Sequence, residues 1–504
     1  MINKVFSERC AGVLLHISSL PNGESFWNEP AARSGEGSGT LGKQAFKFVD
    51  FLNQSGFKIW QMLPVVPTDL SPYQALSIHA GNPDLISLDD LLERGWISDE
   101  DIKCEEKSPE GLKAARAKGA ITFYKFLNDP EQEALKIRFK QFRNDQSHWL
   151  ADFSTFMALR KKFENSSWVD WPPELLRREQ GTLDAIKEEL KNEIAVFDFE
   201  QFAFFTQWQA LREYAAGKKI TFFGDMPIFV GHDSADVWAQ QHYFQLNDKG
   251  HALNVAGVPP DDFSEDGQYW GNPHYAWDVM EQDGFQWWLA RLRTQLNLFD
   301  WIRIDHFRGL ESYWSIPGDS KDACNGKWIK APGHALLSRC SDAYPELPLV
   351  AENLGLITDD VEKLRHAFHI PGMAVLQFAF GDKPNNPYLP HNLNRSDFVY
   401  TGTHDNNTTV GWFQEADDDV RNQIIDYCFN SNEDMPWLFN KLALSSVGKV
   451  CIIPMQDLLG LNGEHRMNTP GTVDKNWQWK FSWDQLPSNL AQEIKITLEK
   501  YNRC

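Results

Sequence analysis

Several acidic side chains in this chain stand where chemistry would need them. The stretch 301–310 reads WIRIDHFRGL. Trp301, Ile302 and Ile304 have the character of a buried strand; Asp305 follows, with Arg303 and Arg308 on its two sides, and Gly309 permits a sharp exit. Nearby cations keep a carboxylate ionised, and an ionised carboxylate at a strand end can act as a nucleophile. From this stretch alone a structural ion pair is the alternative. Glu352 follows Val350-Ala351 with no adjacent cation, so desolvation would raise its pKa and suit it to carry a proton. His404 and Asp405 follow Tyr400 to Thr403, Asp225 follows Phe222-Phe223-Gly224, and Gln456-Asp457 follow another apolar run. One ionised and one protonated carboxyl are the pair that cleaves glycosidic bonds. A separation of about 5 Å leads through a covalent glycosyl-enzyme intermediate to retention.

These groups need a frame. Short apolar, β-branched runs recur at residues 12–17, 58–65, 220–230, 301–307, 349–352, 373–380, 397–403 and 449–454, with helical patterns between them. Such runs suit a parallel sheet buried on both faces, and eight of them close a (β/α)8 TIM barrel. The polar residues named above sit at the ends of the runs, the face on which such barrels carry chemistry. The expected fold is therefore an α/β TIM barrel forming one catalytic unit over 1–504. A large, mainly helical insertion over 84–219 follows the second strand, with helices expected near 131–144, 149–163, 183–194 and 199–214. Residues 257–277, GVPPDDFSEDGQYWGNPHYAW, combine turn-forming Pro and Gly with exposed rings. They read as a long substrate-cleft loop within 251–280.

The net charge of −21 argues against a nucleic-acid backbone or an anionic membrane as partner. No run approaches about 18 apolar residues, so no membrane span is expected. Seven widely spaced cysteines without C-x-x-C fit reduced thiols in the cytoplasm better than a disulfide frame or a zinc site. Neither a metal-ligand spacing nor a phosphate loop is present, and no cofactor is expected. Twenty Trp and 34 Phe fill a core or, in part, stack on the flat apolar faces of sugar rings.

Taken in order, the motifs resemble the 4-α-glucanotransferases (amylomaltase or disproportionating enzyme, glycoside hydrolase family 77) of the α-amylase clan. They are SPYQ with AGNP at 71–83, GDMPIFV at 224–230, DSADVW at 233–238, GVPPDDFSEDGQYWGNP at 257–273, RIDHFRG at 303–309, AENLG at 351–355, PGMAVLQFAF at 371–380, YTGTHDNNTT at 400–409, and PMQDLLGLNGEHRMNTPGTVDKNWQW at 454–479. The resemblance implies a retaining transferase acting on maltooligosaccharides and α-1,4-glucans. Asp305 would be the nucleophile, Glu352 the general acid/base and Asp405 the holder of sugar hydroxyls. Arg303 would orient Asp305, and His404 would bond the sugar at the cleaved bond. Tyr73 would stack on the donor sugar, Ser71 would bind substrate beside it, and Asp261, Gln268, Trp270 and Asn272 would line the acceptor side. Asn476 is either a sugar contact or a structural cap. Asn353 and Asn407 stand where the family often has Asp. A hydrolase of the same clan and a catalytically silent glucan-binding protein remain open as alternatives at this point.

Overall fold

The computed structural model describes residues 8–22, 39–103, 108–260, 265–381, 384–472 and 474–504. Eight parallel strands form its centre: β1 (Cys10–Leu14), β2 (Ile59–Gln61), β3 (Thr221–Pro227), β4 (Trp301–Asp305), β5 (Leu349–Ala351), β6 (Met373–Val375), β7 (Phe398–Tyr400) and β8 (Val450–Pro454). They pair in the order β6-β7-β8-β1-β2-β3-β4-β5. Each falls inside one of the eight expected runs or begins within a few residues of it. The seam between β5 and β6 is drawn together by the Ala351 amide, which donates to the Pro371 carbonyl at 2.8 Å. Asn353 braces the same seam: its Oδ1 accepts from the Met373 amide at 2.8 Å and its Nδ2 donates to Glu362 at 2.9 Å.

Strand parity decides which side chains reach the centre, because successive residues point to opposite faces. Phe223, Trp301, Val350, Met373, Phe398, Tyr400, Val450 and Ile452 pack together inside the barrel. Ile302, Ile304, Ala351 and Val399 belong instead to the layer under the surrounding helices. The barrel is thus a filled core. Continuing the inward parity by two residues leads from Phe223 to Asp225, from Trp301 to Arg303 and Asp305, and from Val350 to Glu352. Register brings two of these side by side: Asp225 lies opposite Arg303 across β3 and β4.

Between β2 and β3 the chain runs mainly through helices, among them Pro109–Phe126, Glu133–Asp145, Leu150–Lys162, Gln180–Glu189 and Lys191–Gly217. The run read at 183–194 divides at Leu190 into the last two of these. Aromatic contacts hold the bundle, with Phe123 4.8 Å from Phe199 and 5.6 Å from Phe139 between ring centres. The longest helix also pins the segment that follows Tyr73. The Gln201 amide group bonds both the N–H and the C=O of Gly81, at 2.7 and 2.9 Å, and Gln207 does the same to Ser87, at 2.8 Å each. Gly81 is needed there, since a Cβ would lie 2.0 Å from the Phe204 ring.

The stretch read as a long cleft loop contains two strands. Strands Asn254–Val258 and Gln268–Pro273 form an antiparallel pair, extended by Ser312–Pro317 and Lys327–Lys330 into a separate four-stranded sheet. Of the Pro and Gly residues that suggested an extended loop, Pro259, Pro260 and Gly267 lie between these two strands, and Gly271 and Pro273 lie within the second. The pairing shifts register between Val255 and Gly257, and Gly271 in the facing strand has a φ of 77°, so the hairpin passes from exposed Gln268 to buried Pro273.

Candidate active site

Arg303 is the hub of the barrel mouth. It is 4% exposed, and its Nη1 donates to both oxygens of Asp225 at 2.8 and 2.7 Å. Its Nη2 lies 2.8 Å from Asp305 Oδ1. Burial works against the guanidinium charge, but Asp225 and Asp305 outweigh it and hold the Arg303 pKa well above the usual arginine range. One buried cation therefore fixes two carboxylates on adjacent strands, a geometry suited to the forked guanidinium.

Asp305 feels the charge of Glu352 on the next strand. Burial pushes Asp305 up to about 7; Arg303 opposes this, while the charges of Asp225, Glu352 and Asp405 add to it. Burial also raises Glu352, against Arg303 and two backbone amides. Those amides are His306 N–H to Oε2 and Leu354 N–H to Oε1, each at 2.8 Å. His306 takes a left-handed conformation, with φ of 51°, which turns its amide toward Glu352 at the end of β4. Two such groups release their protons as a pair. The direct contact with a full positive charge, which the two neutral amides on Glu352 lack, favours Asp305 as the ionised member.

Arg308 does not flank Asp305 as the sequence suggested. Its guanidinium carbon sits 3.9 Å from the centre of the Trp328 ring, and Nη1 donates to the Leu356 carbonyl. The turn at His306 breaks the strand parity, so a residue three positions from Asp305 points elsewhere.

A second chain of contacts leads away from Asp225. Tyr73 Oη lies 2.7 Å from Asp225 Oδ2 and 2.8 Å from His404 Nε2. A carboxylate only accepts, so Tyr73 donates to Asp225 and His404 donates to Tyr73. His404 Nε2 is also 3.2 Å from Asp405 Oδ2. Burial would lower the His404 pKa, but the Asp405 charge outweighs it and the pKa rises. Asp405 moves the other way: burial opposes its charge, yet His404 and the Asn468 amide hold it well below the usual carboxylate range. Asn468 Nδ2 donates to Asp405 Oδ1 at 2.6 Å, and Arg466 donates to the Asp405 carbonyl at 3.1 Å. The Tyr73 and His404 rings stack 5.3 Å apart at 18°, with the Trp477 ring 5.7 and 6.0 Å from them. Flat rings beside a cluster of buried carboxyls form a surface that can receive a sugar.

Comparison with known proteins agrees. A family model described as 4-alpha-glucanotransferase matches residues 29–486. This chain belongs to the 4-alpha-glucanotransferase family. Proteins of that name are 42% identical in a Synechocystis species, with 99% of each chain covered, and 43% identical in Thermus thermophilus, with 96% of each covered. The chloroplastic/amyloplastic 4-alpha-glucanotransferase of Solanum tuberosum is 40% identical over 98% of this chain and 86% of its own. Among solved structures, an amylomaltase from Streptococcus agalactiae in complex with acarbose superposes with a TM-score of 0.92 at 36% identity, covering 98% of this chain and all of that one. An amylomaltase from Corynebacterium glutamicum, 18% identical, shares the fold with a TM-score of 0.75 over 99% of this chain and 76% of its own.

The other residues singled out in this 4-alpha-glucanotransferase family member divide into two groups. Trp270 reaches the turn that follows Asp305: its ring meets His306 edge-on at 4.9 Å, and its Nε1 donates to Gln268 Oε1 at 3.1 Å. Ser71, Asn272 and Asn476 hold backbone. Ser71 Oγ accepts from the Tyr73 amide at 3.3 Å, buried Asn272 donates to the Val230 carbonyl at 2.8 Å, and Asn476 bonds Thr469 and Thr472 at 2.9 and 2.8 Å. Asp261 lies outside the described residues. Asp457 caps the segment after Asp405 by accepting from Thr401 and Thr409. Asn468 and Trp477 were not singled out from the sequence. They sit within the last motif, but only the fold shows that they meet Asp405 and Tyr73.

Proposed function

We propose that the protein moves α-1,4-glucan segments between maltooligosaccharides through a covalent intermediate on Asp305. The Asp305 carboxylate attacks the anomeric carbon of the donor while Glu352 passes its proton to the departing glycosidic oxygen. The bond from carbon to that oxygen breaks, and the shortened glucan leaves with the proton. An acceptor sugar hydroxyl then gives its proton to Glu352 and attacks the same carbon, releasing Asp305 and restoring both groups. Two inversions at one carbon give retention.

The observation that carries this reading is the Arg303 bridge, which holds Asp305 beside Asp225 with Glu352 on the next strand. Ile304 lies opposite Ala351, so Asp305 and Glu352 each come one residue later on strands about 4.8 Å apart. The two carboxyls therefore spring from neighbouring strands at the same level, which suits the roughly 5–5.5 Å between the carboxyls of retaining enzymes. Asp405, kept ionised by His404 and Asn468, would accept hydrogen bonds from sugar hydroxyls. Tyr73 would stack on the donor sugar, and Trp270 with Gln268 would meet the acceptor. An acceptor held in this way competes with water for the intermediate. The six described cysteines are free, and burial pushes Cys10 and Cys340 up to about 12. Protonated thiols of this kind fit a reducing, cytoplasmic setting.

Incubation of the pure protein with maltotriose tests the proposal. Transfer yields glucose together with a ladder of longer chains. Shorter sugars alone, formed in step with new reducing ends, would identify a hydrolase; bound but unchanged maltotriose would identify a silent glucan-binding protein.

A further inference from the structure

The small antiparallel sheet has two unlike faces. Register sets Tyr269 opposite Gly257, Gly257 opposite Trp314, and Trp314 opposite Trp328. Residues directly opposite one another share a face, so three aromatic residues form one row across the four strands. On the other face Ala256 and Tyr313 are buried, with the Tyr313 ring 4.4 Å from His274 and 6.1 Å from Phe229. The row is open by contrast: Tyr269 and Trp328 are each 41% exposed.

The row is also built to stay in place. Trp328 is held between the Arg308 guanidinium, at 3.9 Å, and the edge of Trp314, at 5.3 Å. Trp314 Nε1 donates to the Ala323 carbonyl at 2.9 Å, and the Tyr269 hydroxyl donates to the Gly318 carbonyl at 3.4 Å. Gly257 allows the close approach of the strands: a Cβ there would lie 2.1 Å from the Gln268 carbonyl oxygen and 2.5 Å from the Ile316 side chain, which packs with Val255, Ala323 and Trp314.

We propose that this outer sheet face is a second glucan-binding platform, which holds an α-1,4-glucan chain away from the reacting bond. The inference rests on the glucan-transfer reading above and extends it. Three strand spacings make the row about 14 Å long, enough for a few sugar rings and narrow for a stable protein interface of about 800 Å² per partner. The platform is continuous with the catalytic side. Trp270, the next residue on the Tyr269 strand, touches His306, and Arg308 joins Trp328 to Leu356 in the segment that follows Glu352. Aromatic rings suit an uncharged ligand with flat apolar faces, and a glucan offers such faces at each residue.

Electrophoresis of the full chain through gels containing soluble amylose tests this, run beside maltotriose disproportionation. The double variant Tyr269→Ala/Trp328→Ala is expected to bind amylose about fivefold or more weakly relative to its turnover of maltotriose. The conservative Trp328→Phe should keep most of the retardation. Unchanged retardation in the double variant, or equal losses on amylose and maltotriose, overturns the platform. A change in solution mass with retardation intact would mark the face as a contact between copies and also overturns it. If the wild type is retarded through this face but leaves maltotriose unconverted, the transfer reading fails while the platform stands.

Discussion

Replacing Arg303 with Met should separate its electrostatic role from its packing role. The substitution removes the contacts at 2.8 and 2.7 Å to Asp225 and at 2.8 Å to Asp305. It leaves Asp225, 1% exposed, as a buried carboxylate without its cation. Breaking a buried pair from one side costs about 3–5 kcal/mol, so the denaturation midpoint should fall clearly while the barrel still folds. The catalytic effect is more specific. Burial already places Asp305 at about 7, with Arg303 pulling it down. An adjacent opposite charge lowers a carboxyl pKa by about 1–3, so its loss should move the acid limb of kcat/KM up by about 1–3 pH units. On the acid side of that limb a shift of about 1–3 pH units lowers activity about 10- to 1,000-fold, and activity should recover as pH rises. Arg303→Lys keeps a charge but not the fork; its acid limb should stay near that of the wild type even if its turnover falls. The assay is the pH profile of maltotriose disproportionation, in which kcat/KM reports the free enzyme. An acid limb in Arg303→Met that coincides with the wild-type limb would refute the claim that Arg303 governs the charge of Asp305.

Three further outcomes follow from neighbouring contacts. Asn468→Ala removes a bond to a charged group worth about 1.5–3 kcal/mol and should lower kcat about 10- to 100-fold; single-turnover rates equal to wild type would show that Asn468 does not act through Asp405. Trp270→Ala should raise KM for the acceptor about 2- to 10-fold and increase glucose released to water relative to transfer, measured by product chromatography; an unchanged ratio would remove Trp270 from the acceptor side. The His404–Asp405 pair stabilises the fold in a pH window whose sign is set by the two shifts. The Asp405 pKa is depressed, so its contribution is present above about 4 and fades as pH falls below that. The His404 pKa is raised, so its contribution is full below about 6.5 and is lost as pH rises through the folded value. The stability difference between wild type and Asp405→Asn should therefore be greatest between about pH 4 and 6.5, and denaturation curves showing a difference that grows above pH 8 would contradict it.

The inward residues were readable because strands obey a period of two. Once Trp301 and Val350 are recognised as buried, Arg303, Asp305 and Glu352 follow by parity. Arg308 was not readable, since His306, at a φ of 51°, ends the strand and with it the rule that would aim later side chains. Asn468 meets Asp405 across 63 residues, and no local pattern announces a contact that depends on two loops converging over a barrel. The strands around Trp270 were hidden for a different reason. Their Gly and Pro residues carry turn signals, but Gly257 is a site of close strand approach, and pairing with Ser312–Pro317 draws the stretch into a sheet. Tyr73 became intelligible only through Gln201 and Gln207, which come from the far end of the helical insertion to fix the backbone beyond it.

The central claim is that Asp305 forms the bond to sugar. The direct measurement uses Glu352→Gln protein, slowed at the step that needs a base, with an α-maltotriosyl fluoride whose leaving group needs little acid assistance. Acid quenching and peptide mapping by mass spectrometry should find one maltotriosyl adduct, on the peptide that contains Asp305. An adduct on another carboxylate, or release of fluoride with no adduct at any time point, would contradict the account.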